Sequence, residues 1–483
     1  MSRAGFEGLN FIDGAWRPGP VAVETRNPSD LDEVVGTYAK ATADDTHEAM
    51  AAARRALPAW RRFNMQARAD LLRKAGDLLI ARMTEIGTLL SREEGKTLPE
   101  AIGEANRAGQ CFHYYAGEVV RAQGEWYNSM RDGHNVVVTR EPVGVVAAIT
   151  PWNFPIALPA WKVAAALAFG NTVVLKPSSF VPGCAIMLAR ILEEVGLPKG
   201  VFNLVIGDGR ATGDVMIDAA DAVTFTGGTE TGRAVLRRAA ETMTKAQLEL
   251  GGKNAYVILD DADLDLAIET AANAAWIQTG QRCTATERLI VTRGVHDQVV
   301  ERLAAKAQAY VVGHALDAAT QIGPVANERQ FADNLAFVAA GQAEGAELVA
   351  GGTALERPTR GYYMAPALLA RSTGAMRLNH HESFGPILSV IAVDDLDEAI
   401  AVANGTELAL SSGIATSSLR SAERFRRESK AGMVMVNTPT AGLEYHVPLG
   451  GRSPSGFGPR ETGASSYEFF TESKTSYINH GVS

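Results

Sequence analysis

The stretch from Val143 to Ala240 decides the fold. It reads VGVVAAIT (143–150), AWKVAAALAFG (160–170), NTVVLKP (171–177), CAIMLARILEEVG (184–196), FNLVIG (202–207), AVTFTGG (222–228) and ETGRAVLRRAA (230–240). Short β-branched runs alternate with segments whose apolar residues recur at helical spacing, the pattern of βαβ units around a parallel sheet. A second alternating series starts near Ala255 with YVILD, ADLDLAIETAANAAW and ERLIVTR, and runs on through ILSVIAVDD, DEAIAVANG, GIATSS and GMVMVN. The expected fold class is α/β with two such domains. A chain of 483 residues exceeds the size at which one hydrophobic core stops growing, so a cleft between two cores is expected. On the amino-terminal side, Thr46–Lys96 reads as helices behind a few opening turns. Gly450–Ser483 reads as a loop followed by an extended tail, SYEFFTESKTSYINH.

Composition narrows the function classes. The formal charge of −9 is spread along the chain, without the basic stripe that nucleic acid or an anionic membrane surface requires, so neither partner is expected. Three scattered cysteines, Cys111, Cys184 and Cys283, make neither a disulfide framework nor a metal site, and no metal is expected. The first twenty residues carry Glu7 and Asp13 and lack the apolar core of a secretory signal, which together with the cysteine usage points to the cytoplasm. Pro142–Trp161 is uncharged and long enough to span a bilayer, but Pro151, Pro155 and Pro159 would remove helix donors at successive turns.

Three residues have the chemistry of acyl transfer. Cys283 in GQRCTAT follows a helical run and precedes ERLIVTR, which puts it in a short connection near a sheet edge. A lone cysteine is most often a small buried hydrophobe; the polar flanks Gln281, Arg282, Thr284 and Thr286 argue for a nucleophile, with Arg282 favouring thiolate. Glu249 in LELGGKN lies between two leucines. Half-burial there would raise its pKa and suit a general base, against the plainer reading of a solvent-facing glutamate on an edge strand. Asn153 in ITPWNFP ends a hydrophobic strand between prolines, where a fixed amide donates to an oxyanion or simply makes a turn. Two glycine-rich loops, GDGRATG (207–213) and FTGGTETG (225–232), follow strands and would let backbone approach a pyrophosphate. Lys176 closes the strand NTVVLK at a carboxyl edge, within reach of ribose hydroxyls.

Taken in order, ITPWNFP, VVLKPSS, FTGGTETG, LELGGKN, GQRCTAT, ESFGPI and SGFGPRETG resemble the NAD(P)+-dependent aldehyde dehydrogenase superfamily across nearly the whole chain. The resemblance implies that Cys283 is the nucleophile, Glu249 the base, and Asn153 with the Cys283 N–H the oxyanion hole, while Lys162 helps relay protons. For the cofactor, NADP or NAD, it implies Thr150, Pro151, Trp152 and Leu250 along the cleft and Lys176, Ser178 and Ser179 at the adenosine ribose. Gly227 and Gly228 would approach the pyrophosphate, Gly209, Gly213 and Phe225 would also bind the cofactor, and Glu382 with Phe384 would hold the nicotinamide ribose and ring. Ser179 stands where an acidic residue often enforces NAD in the family, so NADP+ is expected to be accepted.

Within the superfamily the nearest resemblance is to α-ketoglutarate semialdehyde dehydrogenases, carried by GQRCTAT and EYHVPLGGRSPSGFGPRETG, with departures at Leu449 and Ser453–Pro454. Arg107 and Arg282 would bind the far carboxylate of such a substrate, and Phe154, Trp161 and Thr284 would line its tunnel. Succinate semialdehyde or broad aliphatic aldehydes are the alternatives within the class. Acyl transfer to coenzyme A is disfavoured by Glu249, and a non-catalytic binding protein on the same fold by the joint presence of Cys283, Glu249 and Asn153. The implied architecture is aldehyde dehydrogenase-like: two Rossmann-like α/β domains plus a small oligomerisation hairpin and a C-terminal tail. A cofactor-binding domain would comprise 1–122 and 143–251, a catalytic domain 252–451, and the hairpin and tail 123–142 and 452–483. The hairpin and tail would build a homodimer or homotetramer.

Overall fold

The structure is a computed structural model that describes residues 6–121 and 124–481. Five strands of the first sheet are parallel, in the order Lys245–Glu249, Ala222–Thr226, Val145–Ile149, Thr172–Lys176 and Phe202–Leu204. Four of the five are buried throughout, which is why they read as unbroken apolar runs rather than alternating ones. Val145–Ile149 comes first in sequence, the next two strands extend the sheet to one side, and the last two extend it to the other. The order therefore reverses at the carboxyl end of Val145–Ile149, where an open α/β sheet leaves a crevice for ligand.

The amino-terminal segment departs from the expected opening turns. Asn10–Ile12 and Ala15–Arg17 form an antiparallel hairpin on the edge of this sheet, turning through Asp13 and Gly14, both at positive φ. An Asp-Gly pair is the residue choice that a two-residue hairpin demands. Phe6–Gly8, Val21–Asn27 and Asp30–Lys40 make a separate three-stranded sheet. The helices that follow are Ala43–Arg61, Met65–Ala81, Met83–Glu94 and Leu98–Glu118. The last starts with a Thr97/Glu100 capping box and Pro99 in its first turn, an arrangement that satisfies the free backbone donors of a helix start.

The second sheet has seven strands in the order Glu347–Ala350, Ala367–Ser372, Ile387–Val393, Thr286–Thr292, Asn254–Ile258, Ser411–Ala415 and Met433–Val436, antiparallel only at its first pair. Four residues, Leu250–Lys253, join it to the first sheet. A third sheet pairs Gly124–Asn128 with His134–Pro142 and the latter with Thr471–Asn479. The tail is not extended throughout: Ser466–Phe470 is helical and buries Phe469 and Phe470 in the larger hydrophobic core. No helix among the described residues is long and apolar enough to cross a membrane.

Candidate active site

A cavity of about 500 Å³ opens at the point where the first sheet reverses its strand order. Its walls include Cys283, Glu249, Asn153, Arg107, Trp161 and Glu382.

Cys283 reaches it through an unusual turn. After the helix Leu264–Trp276, three successive residues take left-handed backbone: Gln278 (φ 57°), Thr279 (φ 56°) and Gly280 (φ 66°). Non-glycine residues there cost about 1–3 kcal/mol each and persist only when their surroundings impose them. Glu100 accepts the Gln278 N–H at 2.9 Å, the Thr279 hydroxyl donates to the Gly323 carbonyl at 3.0 Å, and Gln281 Oε1 accepts the Ala326 N–H at 2.9 Å. The turn leads into Thr286–Thr292, an interior strand of the second sheet, and Cys283 lies in the short connection before it, as expected from sequence. Cys283 is half-buried. Burial first, then the carboxylates of Glu382 and Glu249, push its thiol up to about 12. The expectation that Arg282 favours thiolate meets a different geometry. Its Nη2 donates to the carbonyls of Asn273 and Ala274 at the end of the preceding helix, and the neighbouring carboxylates outweigh it.

Glu249 ends the strand Lys245–Glu249, which runs between Ala222–Thr226 and Gly456–Phe457 and so is not an edge strand. At 5% exposure it is no solvent-facing glutamate. Its carboxyl is held well above the usual carboxylate range by burial and then by repulsion from Glu461, only partly offset by Lys162 and Arg460. The Gly451 N–H donates to it at 3.3 Å. Lys162, buried on the helix Ala157–Ala168, is ion-paired with Glu461 and donates to the Thr224 hydroxyl at 2.8 Å. Glu461 sits in the quoted SGFGPRETG but was not singled out there. Its pairing spans 299 residues and has no local pattern.

Asn153 is 4% exposed and its Nδ2 donates to the Gln281 carbonyl at 3.1 Å. That bond ties the Asn153 loop to the backbone two residues before Cys283. From behind, the buried Lys96 Nζ donates to the Asn153 carbonyl at 2.8 Å, pairs with Glu104 at 2.6 Å and lies 4.3 Å from the centre of the Phe154 ring. The other Glu104 oxygen accepts the N–H groups of Ile156 and Ala157, both at 3.0 Å, at the start of the next helix. Sequence reasoning missed Lys96 and Glu104. Their (i, i+8) spacing straddles a loop and a helix start, so no single-helix pattern pairs them.

A second group of polar residues lies along the carboxyl edge of the first sheet. The hydroxyls of Thr150 and Thr226 are buried and without a hydrogen-bond partner among the described residues. Burial pushes Lys176 below its usual range, and among the described residues its Nζ has only the Pro177 carbonyl at 3.5 Å. Gly228 precedes the helix Thr229–Glu241 with open space where a side chain would stand. Unsatisfied donors, a buried lysine and an open helix N-terminus fit a pyrophosphate with its ribose. Gly209 and Gly213 also face open space, on a single wide turn, Gly209–Asp214. Ser178 accepts the Phe180 N–H at 3.3 Å, and Ser179 is half-exposed beside it. Phe225 is the exception: it packs into the sheet's core and props Gly227 rather than offering ligand a surface. In the cavity itself, Trp152 meets Phe384 edge-to-face at 5.4 Å, with Leu250, Pro151 and Thr284 nearby. Glu382 accepts the Gly252 N–H at 3.1 Å; burial, then Glu287, push its carboxyl up to about 8.

Residues 16–476 match the aldehyde dehydrogenase family. The chain belongs to that family. It is thereby an oxidoreductase acting on aldehydes. It is 39% identical to the α-ketoglutaric semialdehyde dehydrogenase of Bacillus subtilis, over 97% of this chain and 98% of that one. To the α-ketoglutarate semialdehyde dehydrogenase of Haloferax volcanii it is 40% identical, over 98% and 99%. A betaine aldehyde dehydrogenase of Bacillus subtilis is 35% identical over 97% of each chain. Among solved structures, an NAD-dependent aldehyde dehydrogenase from Sinorhizobium meliloti superposes with a TM-score of 0.96 at 36% identity, covering 99% of this chain and 96% of that one. The betaine aldehyde dehydrogenase of Staphylococcus aureus in complex with NAD+ gives 0.95 at 32%, covering 98% and 95%.

Proposed function

We propose that this aldehyde dehydrogenase oxidises α-ketoglutarate semialdehyde to the dicarboxylic acid with NADP+ or NAD+, through a thioester on Cys283 that Glu249 helps to hydrolyse. The observation that carries the reading is that one cavity is lined by Cys283 from the second sheet, Glu249 from the first, and Asn153, whose amide is bonded two residues before Cys283.

The thiol of Cys283 gives up its proton to solvent and the resulting thiolate adds to the aldehyde carbon. The resulting oxyanion takes hydrogen bonds from Asn153 Nδ2 and the Cys283 N–H, the interaction that most lowers such a barrier. A bound oxidised nicotinamide supplies the hydride acceptor that turns this adduct into a thioester. Glu382 and Phe384 would hold its ribose and ring, Gly227 and Gly228 would admit the pyrophosphate, and Lys176, Ser178 and Ser179 would hold the adenosine ribose. Glu249 then takes a proton from water, the hydroxide adds to the thioester carbon, and the carboxylic acid leaves as Cys283 regains its thiolate. A raised carboxyl pKa makes Glu249 a stronger base for that step. Lys162 and Glu461 lead from it into the interior as a charged pair able to pass the proton on.

A dicarboxylic product is supported by the curated relatives of 39–40% identity bearing that substrate's name, against 35–37% for betaine aldehyde dehydrogenases. Arg107 supports it physically: it lines the cavity and its guanidinium is held by the Leu443 carbonyl, placing a cation where a trimethylammonium group would be repelled and a carboxylate attracted. Trp161, Phe154 and Thr284 form the rest of that wall. The test is a spectrophotometric panel of α-ketoglutarate semialdehyde, succinate semialdehyde, betaine aldehyde and propanal with each cofactor. The highest kcat/KM belongs to the first; preference for betaine aldehyde, or an Arg107→Ala variant with unchanged KM for carboxylated aldehydes, overturns the substrate reading.

The same proposal divides the chain into a cofactor domain (1–122, 143–251), a catalytic domain (252–451) and a hairpin with tail (123–142, 452–483); the boundary at 122–123 lies outside the described residues. Exposed Trp126, Tyr127, Tyr477 and Ile478 on the hairpin sheet, with Met130 in its turn, support a homodimer or homotetramer built through it.

A further inference from the structure

Phe384 holds a left-handed backbone, φ 54°, which a bulky aromatic residue adopts only under constraint. The constraint lies directly behind it. The Glu287 carboxylate accepts the Ser383 N–H at 2.9 and 3.0 Å and the Phe384 N–H at 2.9 Å. Glu287 is in turn ion-paired with Lys253, and the two side chains are 4% and 1% exposed. Lys253 belongs to the short connection between the two sheets, and its carbonyl accepts the Arg288 Nε–H at 2.9 Å. One residue earlier in that connection, the Gly252 N–H donates to Glu382 at 3.1 Å. A buried carboxylate that accepts two adjacent backbone N–H groups fixes both peptide planes at once, because every alternative leaves a buried charge or a buried donor unsatisfied.

We infer that Glu287, neutralised by Lys253, is a positioning residue for cofactor: it locks the Glu382–Phe384 segment in the shape that receives the nicotinamide ribose and ring. The inference rests on the proposed role of Glu382 and Phe384. Glu287 touches neither substrate nor cofactor. It acts by making the segment rigid before cofactor arrives, so that ordering it does not have to be charged against binding. The clamp also ties the cofactor segment to the connection that leaves Glu249, so the base and the nicotinamide pocket keep one mutual geometry.

Two double variants separate this from a role in stability alone. Glu287→Leu with Lys253→Met removes the acceptor without stranding a charge. Glu287→Gln with Lys253→Met is equally uncharged but keeps an acceptor oxygen for the two N–H groups. The measurements are KM for cofactor and kcat in aldehyde oxidation, and in parallel the cofactor-independent hydrolysis of an activated acetyl ester. The ester reaction needs only Cys283, the oxyanion donors and Glu249. The leucine variant is expected to raise cofactor KM at least about tenfold, the equivalent of about 1.4 kcal/mol, with ester hydrolysis retained. The glutamine variant is expected to recover most of that loss. Unchanged cofactor KM in the leucine variant overturns the inference, as does ester hydrolysis falling in the same proportion. If the leucine variant does not fold, hydrogen exchange on the wild-type enzyme without cofactor decides: protected amides at Ser383 and Phe384 support the clamp, and exchange at the rate of an open loop overturns it. A wild-type enzyme that hydrolyses the ester but oxidises no aldehyde with either cofactor would instead sink the functional reading itself.

Discussion

Replacing Lys96 by methionine tests whether the buried pair behind Asn153 serves the fold or the chemistry. The ammonium is bonded to Glu104 at 2.6 Å and to the Asn153 carbonyl at 2.8 Å. Removing one member of a buried ion pair costs about 3–5 kcal/mol, because the other charge is left uncompensated. Here Glu104 keeps two backbone N–H partners at a helix start, a location that stabilises a carboxylate by up to about 2 kcal/mol. The unfolding free energy should therefore fall by about 2–4 kcal/mol, within the range left by those two effects. Catalysis should fall as well. Losing an oxyanion donor outright costs about a hundredfold to a thousandfold in kcat, but the Asn153 amide retains its bond to Gln281, so displacement rather than loss is expected and the drop is about tenfold to a hundredfold. Urea unfolding gives the first quantity. Stopped-flow measurement of reduced cofactor gives the second: the burst and the steady state should both slow, because each passes through an oxyanion. A variant destabilised as calculated but with a kcat within about threefold of wild type, under 1 kcal/mol, would show that Lys96 supports the helix start and leaves the amide where it was.

Three further outcomes are expected. Glu249→Gln should keep the burst of reduced cofactor and release acid about a hundredfold or more slowly, whereas Cys283→Ala should show neither phase; normal turnover in either removes that residue from the mechanism. With its thiol held up to about 12, free Cys283 should be alkylated by iodoacetamide at a rate rising about tenfold per pH unit from pH 7 to pH 10. A plateau below pH 8 would mean that the thiolate is already formed. Ser179→Glu should lower kcat/KM for NADP+ relative to NAD+ at least about tenfold, since like charges about 4 Å apart near a surface repel by up to about 4 kcal/mol; an unchanged ratio would locate the discrimination elsewhere.

The alternating βαβ pattern was legible because buried parallel strands are written as continuous apolar runs, and Cys283, Glu249 and Asn153, which line one cavity, stood out because each lies in a short motif with distinctive neighbours. The opening residues were harder. Strands such as Asn10–Ile12 and Ala15–Arg17 are three residues long, too short to establish a period, although Asp13-Gly14 was a usable turn signal. SYEFF lost its helical character to aromatic and polar composition and regained it by burying Phe469 and Phe470 in the core. The largest gap concerns charge. Lys96 with Glu104, Lys162 with Glu461, and Lys253 with Glu287 are all nearly inaccessible to water, yet a lysine or glutamate in a sequence looks the same whether it faces solvent or the interior. For the same reason the sequence shows Arg282 beside Cys283 but not the burial and the Glu382 and Glu249 carboxyls that push the thiol the other way.

Only four residues, Leu250–Lys253, run between the strand that ends in Glu249 and the sheet that carries Cys283. With so little slack in the chain, the two groups owe their common cavity to how one lobe is seated on the other, and a substitution anywhere along that seam would reach them both.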